Sequence, residues 1–191
     1  ARRALVLGLV LSTAYIGWSL AAKAVVDRAA ERTLATLGLQ DAPRFSVPMP
    51  FNTLLWRVVV MTPDGFLEGE RSLVADSGPM VFRKYSSDTA SLARVADYPA
   101  VQRLLWFNHA FMKAEVRDRQ LVLSDLRMGA EPDYTFRFVV AERDGLGWRE
   151  IPPKQVSWPW ETERLLSQLW HRIWEAPPAP EADGAATQAA R

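Results

Sequence analysis

Residues 4–22 read ALVLGLVLSTAYIGWSLAA, nineteen positions without a charge, with Arg2 and Arg3 before them and Lys23 after. At about 1.5 Å per residue a helix of this length measures about 28 Å, close to a hydrocarbon core of about 30 Å. A helix satisfies its backbone hydrogen bonds internally, so the stretch reads first as a membrane-spanning helix in contact with lipid. Tyr15 and Trp18 fall near its exit end, where amphipathic rings favour the interface. Two other readings compete. Arg2-Arg3, the apolar run and Ala22-Lys23-Ala24 also fit the three regions of a signal peptide, although the run is longer than a usual signal core. A buried core helix is the third.

The paired arginines place the N-terminal end on the cytoplasmic side and the rest of the chain outside the cytoplasm. The chain opens without an initiator Met, as a piece of a longer protein would. Its 191 residues divide into a span and stalk over 1–39, one soluble domain over 40–175, and a tail over 176–191 that lacks large hydrophobes and is expected to be disordered. A formal net charge of +1 gives no electrostatic case for nucleic acid as a partner. Zero Cys excludes disulfides, thiolate catalysis and cysteine zinc sites, and two histidines, His109 and His171, cannot build a His-rich metal site alone. Eight tryptophans point to an aromatic core, to a membrane interface, or to both.

Downstream of the span, Val25, Val26, Ala29, Ala30, Leu34 and Leu37 recur at helical spacing, with Gly38 as a C-cap. The span therefore continues as an amphipathic stalk. Pro43, Pro48 and Pro50 mark a boundary. Residues 54–61 and 66–73 form a strand hairpin around Thr62-Pro63-Asp64-Gly65, and 79–85 a third strand. Residues 91–96 and 99–107 read as helix, and 110–117, 120–128 and 134–142 as strands, with 148–151 as an edge. Pro152-Pro153 and Trp158-Pro159-Trp160 link to an amphipathic helix over 161–175, whose stripe is Leu165, Leu166, Leu169, Trp170, Ile173 and Trp174. That stripe either packs on the sheet or lies at a membrane interface. The fold class is α+β: a mainly antiparallel sheet domain with covering helices behind a membrane helix.

No catalytic signature is present: no G-x-S-x-G elbow, phosphate loop, G-x-G-x-x-G or H-E-x-x-H. His109 is expected to be a satisfied structural histidine and His171 a surface one. The charges that break the most apolar strands are more informative. Period-two alternation puts Asp125 and Arg127 on the face of Leu121 and Leu123, and Arg57 interrupts residues 54–61. Buried charges need partners, so Arg57, Asp125 and Arg127 are expected to form a polar cluster, with Arg57 and Asp125 as an ion pair. The cluster is either structural or binds an anion or substrate. Glu68 and Glu70 share one strand face, expected to be solvated, with a cation site as the alternative.

Phe51-Asn52-Thr53-Leu54-Leu55-Trp56-Arg57, the Asp64-Gly65 turn, and Leu123-Ser124-Asp125-Leu126-Arg127-Met128-Gly129 with Pro132, Tyr134 and Phe136 resemble one bacterial group. It is the C-terminal part of the membrane-bound metal-dependent hydrolases, the YdjM-like inner-membrane proteins, and the likeness covers most of residues 4–175. In that family the expected metal ligands lie in an N-terminal multi-helix membrane region with an H-R-x-x-T-H-S-like stretch. No segment here matches it, so no catalytic residue carries over. The resemblance implies a membrane-tethered accessory domain, non-catalytic alone, that presents substrate to or covers a membrane-embedded site. Its partner would be its own N-terminal membrane region, and a divalent metal would belong there. The alternatives are an envelope module that binds protein, lipid or glycan, and an autonomous enzyme using Asp125, Arg127 and His109.

Overall fold

The computed structural model describes residues 2–156 and 162–177. One helix, α1 (Arg2–Thr36), runs unbroken through the apolar stretch and the stalk. At about 1.5 Å per residue it is about 52 Å long, so only its first half matches a bilayer. Its two halves have opposite surroundings. Residues 2–18 are all exposed, so they do not form a buried core helix, whereas Ala22, Val26, Ala30 and Leu34 are buried. The buried stripe is narrower than expected. It follows a strict spacing of four, and Val25 and Leu37 stay exposed. Gly38 closes the helix at φ +69°, with Leu39 N–H donating to Leu34 O at 2.9 Å, a Schellman cap.

Two four-stranded antiparallel sheets follow, where one was expected. The first joins β1 (Arg44–Pro48), β2 (Leu55–Thr62), β3 (Gly65–Ser72) and β4 (Phe82–Ser86) in that order. The second has β5 (Met112–Arg117), β6 (Gln120–Asp125), β9 (Arg137–Asp144) and β10 (Gly147–Gln155), in the order β10-β9-β6-β5. A two-residue pair, β7 (Gly129–Ala130) with β8 (Asp133–Tyr134), occupies the expected loop. Helices α2 (Thr89–Arg94) and α3 (Pro99–Phe107) connect the sheets, and α4 (Thr162–Trp174) comes last.

Proline misdirected the reading at both outer edges. The proline-bearing boundary holds strand β1, and Pro152-Pro153 lies inside β10 rather than in a link. Both strands are sheet edges, where a missing N–H can face away from the partner, and β10 carries its prolines across a register shift between Glu150 and Lys154. The expected Trp158-Pro159-Trp160 link, residue 161, the Leu165 side chain and the tail from 178 onward lie outside the described residues.

Three apolar interfaces stack these elements, and alternation along β2 builds two of them. Trp56, Val58 and Val60 meet the buried stripe of α1, while Val59 turns the other way, toward Phe66, Leu126 and Tyr134 between the sheets. The far face of the second sheet, with Leu121, Leu123 and Val140, packs under Val95 and Val101 beside α2 and α3. Since α1 is anchored through one stripe, its two halves should respond differently to truncation. We expect Leu34→Ala to cost about 2–5 kcal/mol and Leu9→Ala less than about 0.5 kcal/mol, read by urea unfolding of the detergent-solubilised chain.

Candidate functional site

Arg57 and Glu68 sit between the two sheets, 1% and 8% exposed. The hairpin register sets Arg57 opposite Glu70 and Val59 opposite Glu68, so Glu68 is the diagonal neighbour that a long side chain reaches. Arg57 Nε lies 3.0 Å from Glu68 Oε2. Two hydrogen bonds cross to the other sheet: Nη2 donates to Leu126 O at 2.5 Å and Nη1 to Gly129 O. The Phe45 and Tyr134 rings flank the guanidinium at 5.8 and 5.9 Å. Tyr134 Oη donates to Glu68 Oε2 at 3.4 Å. A planar, five-donor cation suits this position because the acceptors lie in several directions.

Burial pushes the Glu68 carboxyl above the ordinary 4.5, with the Arg57 charge working against that shift. Burial, and then the charge of Glu68, pushes the Tyr134 hydroxyl up strongly, so it remains a neutral donor. The expected solvated face of Glu68 is therefore interior. Glu70 is half-buried and engaged, with Arg172 Nε at 3.3 Å.

The expected cluster divides. Asp125 pairs with Arg127, whose backbone N–H donates to Asp125 Oδ1 at 2.9 Å and whose Nε lies 3.4 Å from the same oxygen. Arg127 lies over Phe107, 5.0 Å from the ring centroid. The expected Arg57–Asp125 pair does not form because they point to opposite sides of the second sheet. Asp125 lies on the Leu123 side, in an apolar slot of about 180 Å³ shared with Leu104, Phe107 and Phe138. Arg57 meets the Leu126 side instead. Asn108, buried beside this slot, has no hydrogen-bond partner for its carboxamide among the described residues.

His109, expected to be a satisfied structural histidine, is exposed, at φ +54°, in the turn after α3. His171 is exposed on α4, with Nδ1 3.8 Å from Glu175. No group of three or more His, Asp or Glu gathers to hold a metal ion among the described residues.

A second cleft, about 320 Å³, opens beside the inner edges β4 and β5 and was not anticipated from the sequence. Tyr85, Asp88, Lys113, Glu115 and Glu131 line it, and Lys113 Nζ lies 2.6 Å from Glu131 Oε1 and 3.6 Å from Glu115 Oε2. One ammonium against three carboxylates favours a cationic or donor-rich group over an anion. Alternation along residues 113 and 115 was the available signal, but the facing edge came from a separate sheet. Comparison of the chain with protein-family models, with curated proteins and with solved structures gives no match.

The Arg57 junction makes two expectations. Arg57→Met leaves Glu68 buried without its cation and should cost about 3–5 kcal/mol, while the paired Arg57→Met/Glu68→Leu variant should recover most of that loss. Denaturant unfolding checks both. The pH effect follows from linkage. With its pKa raised on folding, Glu68 binds more protons folded than unfolded, so its contribution is fully present below 4.5 and falls as pH rises through the folded value. The stability of the wild type relative to Glu68→Gln should therefore decline from pH 4 upward, as unfolding of both across a pH series will show.

Proposed function

We propose that this chain is the membrane-tethered accessory domain of a metal-dependent hydrolase of the bacterial inner membrane. It holds its sheets at the outer surface, where they present substrate to, or cover, a site in the preceding membrane region. The observation that carries this reading is the convergence of the two stretches behind the family resemblance. Residues 51–57 and 123–129, far apart in sequence, meet where Arg57 donates to Leu126 and Gly129. Tyr134, from the same set, flanks that guanidinium. The resemblance thus follows the tertiary junction of the domain.

The helix supports the tether. Among the described residues α1 alone is long and apolar enough to cross a membrane, and it enters the domain without a break. A rod that is lipid-facing in one half and part of the core in the other sets height and orientation together, as presentation to a membrane-embedded site requires. A second reading, an envelope binding module, draws on the acidic cleft of Asp88, Glu115 and Glu131.

Two measurements test the accessory reading. The full chain should stay with the membrane pellet through alkaline carbonate extraction, and release into the supernatant would contradict the tether. Purified chain titrated with zinc or manganese should show no stoichiometric tight binding. Such binding, lost in His109→Ala, would make the chain a metal enzyme in its own right.

A further inference from the structure

One end of the first sheet carries Phe51, Trp170 and Trp174, three exposed aromatic residues, beside the point where the span meets the domain. Trp18 Nε1 donates to Thr53 Oγ1 at 3.1 Å, which ties the last turns of the apolar helix to the loop before β2. That loop carries Phe51 at φ +62° and 94% exposed. The same end holds the Leu55–Ser72 pair that closes the β2–β3 ladder, and Ser72 Oγ donates to Ile173 O of α4 at 2.6 Å. Among the described side chains of this helix Ile173 is buried, whereas Trp170 and Trp174 are 61% and 50% exposed and Leu166 also faces solvent. The amphipathic stripe expected to pack on the sheet is therefore largely open.

Arg172 lies 2.6 Å from Asp76 and 3.3 Å from Glu70, bridging α4 to the end of β3 and the loop after it. A half-buried, paired arginine beside open tryptophans and an outward Phe has the composition of a surface seated at the headgroup–acyl boundary.

We infer that this face, formed by Phe51 and the Leu166–Trp170–Trp174 stripe of α4, lies in the interface of the bilayer that α1 crosses. The inference rests on the membrane-tether reading, because the occupant is fixed by position. The helix leaves the sheet at the end bearing these side chains, and Trp18, at the boundary of the apolar run, bonds to the loop that carries Phe51. Phe51 and α4 then act as a second and third contact, so the domain lies against the membrane in one orientation instead of swinging on a single helix.

The absence of cysteine permits a direct test on the full chain. Phe51→Cys, Trp170→Cys, Leu9→Cys and Leu146→Cys, each carrying a nitroxide, are reconstituted into phosphatidylcholine–phosphatidylglycerol vesicles. Collision with oxygen and with a water-soluble nickel chelate reports depth. The expected result is Leu9 deep in the acyl region, Phe51 and Trp170 at the boundary, and Leu146, on the β9–β10 turn, fully aqueous. Leu9 deep with Phe51 and Trp170 as aqueous as Leu146 would overturn this inference and leave the tether standing. Leu9 in water would overturn the tether itself. Labels at 51 and 170 shielded from both reagents would mean that protein, such as a second copy, covers the face, which also overturns the inference.

Discussion

The structure depends on a cation placed where two sheets meet. Arg57 stands in the most apolar strand, and removing its charge from water is costly unless the charge is paired. Its Nε faces Glu68 of its own sheet, and its two terminal nitrogens bond to main-chain oxygens of the other. An apolar residue at this position would add to the core without specifying how the sheets are set. The fork of a guanidinium fixes the Leu126–Gly129 turn against β2, and with it the small β7–β8 pair and Tyr134. Main-chain acceptors tie this geometry to the backbone path.

From that junction the layers extend outward to α1, whose first half is long and apolar enough to cross a membrane. The β2 residues that alternate with Arg57, namely Trp56, Val58 and Val60, pack on Ala22, Val26, Ala30 and Leu34. The polar rim of the same helix engages β1: Asp27 accepts from Ser46 at 2.5 Å, and Glu31 pairs with Arg44 at 2.9 Å. The stalk is thus a layer of the domain. Whatever holds the apolar half of α1 also holds the sheets, without a hinge segment between.

Much of this architecture was legible in sequence, because local chemistry decided it. The nineteen uncharged residues, the Gly38 cap, the Pro63-Asp64 hairpin and the start of α3 at Pro99 each depend on near neighbours. The errors share a cause. Edge strands tolerate proline, so β1 and the proline-bearing second half of β10 were hidden, whereas the edge expected over 148–151 is the first half of β10. The division into two sheets was equally invisible, since each strand pattern fits one sheet as well as two. At the site, period-two alternation placed Asp125 correctly with Leu123. The pairing with Arg57 failed because the relevant face of the other sheet could not be known. Glu68 carried a readable signal, two positions from Glu70 on a strand facing Arg57 across a hairpin. The count of charges on that face made a solvated surface the simpler reading.

The unbroken α1 implies mechanical continuity from its apolar half to the sheets. Amide hydrogen exchange across residues 5–34 of the full chain in vesicles tests it most directly. A helix shared by bilayer and core should show unbroken slow exchange through the junction at residues 19–24, with no fast segment between the two protected halves. Rapid exchange confined to that junction would mean a flexible joint, and a domain whose position at the membrane is not set by its helix.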